Sequence, residues 1–406
     1  MRVVVVGAGF AGLIAADRIV RSGQQAVVLE ARDRTGGRVW SQRLVPDDER
    51  TVIERGAEFV LGGYDVMRAS LAEFGLELAI TTMSYYEREP RGGDPVSGTD
   101  VARCAALVEA AAASASPGCS LADLLNEGLA AEISPAALAA YVSRVTVTNG
   151  VPATELSVAE LGDVTFGFEA RPSWRVAGGN AQLAARLAGR LGSAVSLNSP
   201  VHGIEHDAAG VRVLTGAGTV AGDAVIVAVP MAVLRTLVFE PALPDSYYQA
   251  WRRAGIAHNA KLHIPLTSPA FASAVQSVPG VFWTWTATDG SGQVQPVLHA
   301  FGGTADGLAA LGVGGGPSTW AERVAELRPE LALDVAGALL TTWNDDPWAG
   351  ESYSALTTSV APGDDALIAA PCGRVHFAGE HTAGDWAGLM EGALRSGLRA
   401  AAEVLA

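Results

Sequence analysis

Residues 2–30, RVVVVGAGFAGLIAADRIVRSGQQAVVLE, constrain the fold more than any other part of this chain. RVVVV is a short β-branched run without alternation, the pattern of a strand buried on both faces of a parallel sheet. Glycines follow at 7, 9 and 12. LIAADRIVRSG then carries apolar residues at helical spacing and stops at Gly23, a natural helix C-terminus. QAVVLE is a second buried strand, and it ends on an acid, Glu30. Together these elements form a dinucleotide-binding fingerprint. Gly7 permits the tight turn, Gly9 lets the backbone approach a pyrophosphate, and Gly12 lets helix and strand pack closely. The first helical turn, with Ala11, offers free N–H groups and a positive dipole end to phosphate. Glu30 lies 18 residues after Gly12, where a carboxylate can accept both ribose hydroxyls.

A length of 406 residues exceeds one ordinary core, so two or three domains, or one large α/β domain with an insertion, are expected. The formal net charge of −15 argues against nucleic acid as a partner. Cys104, Cys119 and Cys372 are scattered, with no CxxC among them, so neither a disulfide framework nor a zinc pattern is expected. The chain opens directly on a strand and holds no apolar run of about 18 residues. Neither a signal peptide nor a membrane span is therefore expected, and the expected compartment is the cytoplasm. A homodimer is left open.

The segment after the second strand, EARDRTGGRVWS (30–41), resembles its counterpart in the flavin-containing amine oxidase family. There, paired glycines and an arginine contact the FAD pyrophosphate. The resemblance recurs in order along the chain: ERGAEFV (54–60), WRVAGGNAQLAARLAGRL (174–191), LNSPVHGIEHDAAGVRVLT (197–215), GDAVIVAVPMAVL (222–234), TTWNDDPWAGESYSA (341–355) and RVHFAGEHTAGDWAGLMEGALRSGLRAAAEVL (374–405). It implies an α/β protein with a discontinuous Rossmann-like FAD-binding domain (1–65, 170–235 and 341–406). An α+β substrate-binding domain (66–169 and 236–340) is inserted into it. Within the inserts, Ala-rich stretches read as helices, while NAKLHIPL, GVFWTWTA and VQPVLHAFGG read as strands; GVGGGP (312–317) reads as a flexible loop.

The resemblance also implies cofactor contacts. Beyond the fingerprint residues, Arg32, Gly37 and Arg38 belong at the pyrophosphate, and Val201 belongs at adenine. Gly56 and Ala57 lie in the loop beside the flavin ring, with Trp343 in the tryptophan region. Gly379 sits in the FAGE turn, and Glu380 is expected on the ribityl chain. Leu389 and Met390 open the last helix, where the Met390 N–H is expected on a flavin carbonyl. That helix N-terminus would stabilise negative charge on reduced flavin.

One residue stands apart by composition. Of 28 basic residues, 27 are arginine and one, Lys261 in AHNAKLHIP (257–265), is lysine. Alternation puts Lys261 and His263 on one strand face and Ala260, Leu262 and Ile264 on the other. The resemblance places such a lysine near the flavin N(5) atom through a water. An ammonium can be desolvated and lose its proton there, which a guanidinium resists. Lys261 is thus the expected catalytic residue.

The family frames its substrate with two aromatic rings; Tyr353 fits one wall, but the other position is Leu389. Ser352 stands where monoamine oxidases carry the cysteine that binds flavin, so non-covalent FAD is expected. Glu58 has two open roles, partner of a substrate ammonium or an outward-facing or FAD-backbone position. Trp283 and Trp285 alternate on one strand and can line the pocket or pack in a core. No arginine stands out as a carboxylate clamp near the flavin, which disfavours an α-amino acid substrate unless the inserts supply the clamp. The resemblance implies an FAD-dependent oxidase that takes hydride from the carbon beside an amine nitrogen, giving an imine, with dioxygen reduced to hydrogen peroxide. The alternative is a desaturase or dehydrogenase acting on C–C bonds.

Overall fold

The computed structural model describes residues 1–126, 129, 133–159, 161, 168 and 170–406. In it β1 (Arg2–Val6) is the central strand of a five-stranded parallel sheet. It pairs with β2 (Gln25–Leu29) on one side and with Ala224–Val227 on the other. Val375–Phe377 and Val195–Ser196 form the two edges. The valine run is explained by this position. Val3 and Val5 enter one core with Leu13, Leu183 and Leu394, while Val4 and Val6 enter a second with Val213, Trp251 and Phe377. Helix α1 (Phe10–Arg21), Ala181–Leu191 and Met390–Leu405 cover the first face. Small residues let the last helix cross α1 closely, since a Cβ on Gly397 would lie 2.3 Å from the Ala11 carbonyl oxygen.

Val201–His206 and Val211–Thr215 form the expected antiparallel pair, within a four-stranded sheet that also holds Gly218–Gly222 and Val238–Glu240. This sheet and helix Asp245–Arg253 fill the second core with Ile204, Phe239, Tyr247 and Trp251. Residues 238–253, placed above with the substrate-binding insert, therefore pack with the nucleotide-binding sheet. The cause is local: among the described residues the aromatic partners of Phe239 and Trp251 lie in that core, Phe377 being one of them.

A second, six-stranded sheet runs in the order Leu339–Thr342, Asn259–Pro265, Val297–Gly303, Phe282–Thr286, Ser273–Ser277, Glu89–Arg91. Its pairings are antiparallel except at Glu89–Arg91. Ala260, Leu262 and Ile264 pack under Trp320 of helix Ser318–Leu327, as the alternation requires. The opposite face carries Lys261, His263, Trp283, Trp285, His299 and Phe301 in adjacent register. Helices Gly98–Ala112 and Pro135–Asn149 pack through Val101, Cys104, Tyr141 and Val145. Each starts on a serine cap, Ser97 with a capping box and Ser134 before Pro135. GVGGGP is not an open loop; Val313–Gly315 closes as a 3-10 turn. No helix among the described residues is long and apolar enough to cross a membrane.

Candidate active site

The carboxyl ends of β1 and β2 and one face of the six-stranded sheet line one continuous cavity of about 660 Å³. One end is the turn between β1 and α1. Gly7 sits at φ +102°, and a Cβ there would lie 2.7 Å from the Ala228 carbonyl oxygen. A Cβ on Gly9 would meet no atom within 4 Å and would project into open space. Gly9 caps α1 without a side-chain acceptor, so the first-turn N–H groups, Ala11 included, are left for an anion in the cavity. Gly12 does not line the cavity; its role is packing, because a Cβ would lie 2.0 Å from the Gly7 carbonyl oxygen. Glu30 is buried at the cavity wall. Its two carboxylate oxygens accept the N–H groups of Ala8 (2.7 Å) and Arg32 (2.9 Å), which fixes its orientation.

The remaining expected cofactor residues surround the same space. Gly37 (φ +58°) abuts Gly9. Val201, Ala57, Trp343, Gly379 and Met390 line the wall. Gly56 lines it too and tolerates no Cβ, which would lie 1.8 Å from the Arg38 carbonyl oxygen. Both arginines expected at phosphate are also engaged by carboxylates. Arg32 donates to Asp346 at 2.6 Å, and Arg38 lies 3.2 Å from Glu351 and 3.1 Å from Glu380. Glu380 in turn accepts N–H groups from Ser354 (3.1 Å) and Gly388 (2.6 Å), so it ties three chain segments together. Glu351, missed in the sequence, accepts from Met231 N–H at 3.0 Å; burial pushes its carboxyl up to about 7.

At the other end Lys261 is 5 % exposed. Its ammonium donates to the Glu58 carboxylate at 2.7 Å and to the carbonyl oxygens of Glu54 (2.8 Å) and Gly56 (3.0 Å). Three acceptors surround one nitrogen, matching in number the three N–H donors an ammonium carries. Glu58 is buried rather than outward-facing, and its carboxylate meets Lys261, Trp285 Nε1 (3.2 Å) and Arg175 (3.5 Å). Burial alone would raise its carboxyl, but Lys261 and then Arg175 outweigh burial and hold it below the usual carboxylate range.

The aromatic frame is fuller than the sequence suggested. Trp283 and Trp285 stack at 4.1 Å, and Phe59 packs on both and on Tyr85. Tyr353 lines the cavity with its hydroxyl donated to the Thr148 carbonyl, and Leu389, the cap of the last helix, lines it near Met390. Phe59 stood in GAEF unremarked. Asn180, also missed, holds the 57–58 loop by donating to the carbonyls of Ala57 (3.0 Å) and Glu58 (2.8 Å).

Residues 10–133 and 133–405 match the family described as flavin containing amine oxidoreductase. The chain belongs to that family. A Mycobacterium tuberculosis protein that carries the name flavin-containing monoamine oxidase AofH is 31% identical, with 100% of this chain and 96% of that protein covered. The L-amino acid dehydrogenase of Synechocystis is 25% identical, covering 99% and 94%. Among solved structures, putrescine oxidase bound to putrescine superposes with a TM-score of 0.84 at 23% identity, over 100% of this chain and 99% of that one. Cyclohexylamine oxidase from Brevibacterium oxydans gives 0.83 at 22%, over 99% and 98%. At these identities the two structures speak to the fold: a Rossmann-like nucleotide-binding sheet beside a second sheet. The chain is thus a flavin-dependent amine oxidoreductase, and the cavity is its candidate active site.

Behind that site sits Glu54, another residue the sequence did not mark. Its carboxylate accepts from the Asn180 N–H and the Ser41 hydroxyl, both at 2.7 Å. Burial nonetheless pushes it up from 4.5 to about 7. A folded-state value above the unfolded one means that the folded protein keeps a proton the unfolded chain releases. Its stabilising share is complete below pH 4.5 and is lost as pH rises towards 7. We expect the melting temperature to fall between pH 5 and 8, with Glu54 contributing on the order of 3 kcal/mol. Glu54→Gln should flatten that part of the profile, and an unchanged slope in the variant would refute the assignment.

Proposed function

We propose that this protein is an FAD-dependent oxidase which converts an amine and dioxygen to an imine and hydrogen peroxide. One observation carries the reading: a single cavity joins the glycine turn and Glu30 to an aromatic chamber walled by Lys261, Trp283 and Tyr353. The residues fit FAD on structural grounds. Gly9 leaves open space where a side chain would stand, two helix N-termini without side-chain caps face the cavity, and Glu30 is held at its wall. When bound, FAD accepts hydride from the carbon beside the amine nitrogen and passes two electrons to dioxygen.

The chain's own residues supply position and field. Phe59, Trp283 and Tyr353 exclude water and orient the amine. The Lys261 ammonium, with Arg175 against Glu58, leaves net positive charge where dioxygen gains electrons. The carboxylate beside Lys261, that of Glu58, is already paired with Lys261 and Arg175 rather than left to hold the amine as its unreactive ammonium. The relatives are named for amines and amino acids, which favours this reading over a C–C desaturase. For the domain limits we propose the expected division with two changes: 65–78 pack with the last helix and its core, and the second boundary moves near residue 255 because 238–253 pack with the nucleotide sheet.

Two measurements test the reading. Peroxide should form with a subset of an amine panel, and the same compounds should bleach the flavin anaerobically; bleaching without peroxide would leave a dehydrogenase. We also propose that FAD is non-covalent. Ser352 spends its hydroxyl on the Ala257 carbonyl (2.9 Å) and Asn259 (2.8 Å), and none of Cys104, Cys119 and Cys372 lines the cavity. Acid precipitation should release the yellow colour into the supernatant; colour kept in the pellet contradicts this.

A further inference from the structure

Arg88 is a buried cation on the wall of the same chamber. It is 6 % exposed and precedes the edge strand Glu89–Arg91. Its guanidinium lies 3.8 Å from the Trp283 ring centroid and 5.2 Å from that of Tyr85. It donates to Gln276 Oε1 at 3.2 Å and to the Tyr85 carbonyl at 3.3 Å, both neutral acceptors. Among the described residues no carboxylate pairs with it. Burial lowers its pKa to about 10, which still leaves it charged at neutral pH. A buried guanidinium without a counter-ion is costly, and an anion arriving in the cavity would remove that cost.

Beside the stacked indoles the described carboxylate is Glu58, and it is not left for a cationic substrate. Glu58 is taken by Lys261 and Arg175. Two stacked indoles separate the two cations: Lys261 lies 5.4 Å from the Trp285 ring and Arg88 3.8 Å from the Trp283 ring, on rings themselves 4.1 Å apart. An acid group held by Arg88 is therefore several bonds from a group reacting beside Lys261.

Resting on the amine-oxidation reading, we propose that the substrate is an amine whose far end carries a carboxylate, and that Arg88 binds that carboxylate. The guanidinium fork suits a planar carboxylate, and stacking on Trp283 fixes its orientation. A neutral amine of the same skeleton would leave Arg88 buried without an anion.

The test uses matched pairs with the FAD-loaded enzyme under anaerobic stopped flow: 5-aminopentanoate against pentylamine, and 4-(aminomethyl)benzoate against benzylamine. The acid member should show a kcat/KM for flavin reduction about 10- to 100-fold higher, the span of a charged hydrogen-bonded contact. Arg88→Met should collapse that ratio towards one, and Arg88→Lys should restore part of it. Pentanoate, which cannot be oxidised as an amine, should perturb the flavin spectrum and bind wild type more tightly than Arg88→Met. Equal rates within each pair in the wild type overturn the proposal even if the variants fail to fold. A ratio that survives in Arg88→Met overturns the role of Arg88. Reduction by neither member of any pair, with pentanoate still bound through Arg88, overturns the amine reading itself and the substrate class with it.

Discussion

Replacing Lys261 with methionine is expected to slow oxidation of the reduced enzyme by dioxygen about 100-fold. It is also expected to lower folding stability by about 3 kcal/mol. Both effects come from one geometry. The ammonium is buried, and its three N–H groups meet Glu58, Glu54 and Gly56 at 2.7–3.0 Å. Methionine leaves Glu58 buried with Arg175 at 3.5 Å as its remaining cation, and leaves two carbonyls without that donor. It also removes the positive charge from the chamber wall. The half-reactions separate these consequences, because flavin reduction by amine should change much less than reoxidation. The double variant Lys261→Met/Glu58→Gln removes both charges and should recover much of the lost stability, but none of the lost oxidation rate. Recovery of both would show that Lys261 acts only through folding. Unchanged rates in both half-reactions would remove it from catalysis.

The second large effect lies at the opposite end of the cavity, where two glycines five residues or fewer from Gly7 should fail in different ways. Gly9→Val is expected to fold with near-native thermal stability and to bind FAD on the order of 100-fold more weakly, as overpacking a ligand site by a few kcal/mol would. Gly9 has ordinary extended backbone (φ −74°, ψ −178°) and empty space at its Cβ direction, so the folded chain itself meets no clash. Gly12→Ala should instead impair folding. Its Cβ would stand 2.0 Å from the Gly7 carbonyl oxygen and 3.2 Å from Val5, at the contact of helix α1 with the central strand. Circular dichroism and flavin content of the purified variants distinguish the cases. A Gly9→Val protein that retains flavin at wild-type affinity would place the pyrophosphate elsewhere.

These two ends also differ in how far they could be read from the chain. The nucleotide end was legible because its parts are neighbours in sequence. Strand, turn, helix and acid all fall within residues 2–30, and each glycine answers a local steric demand. Even so, the role of Gly12 differs from that of Gly7 and Gly9 only once the cavity is seen. The chamber end was legible in scattered residues, with Tyr353 and Leu389 marked by resemblance and Lys261 by composition. A lone lysine among 27 arginines marked Lys261, and alternation gave its face. Its partner did not follow, since Glu58 is 203 residues away and the open choice between its two roles depended on that contact.

The sequence by itself determined the parallel nucleotide-binding unit, the family, and the place of the one lysine. Tertiary structure alone decided why that place excludes arginine. Three acceptors from the 54–58 loop converge on a single nitrogen, and only an ammonium carries three donors on one atom; a guanidinium spreads its five over three. The same holds for His263 and His299, paired at 3.0 Å by strand register, and for Arg88, brought over Trp283 from 195 positions away in the chain. Periodicity fixes which face a side chain takes, whereas register and the packing of one sheet against another fix what it meets there.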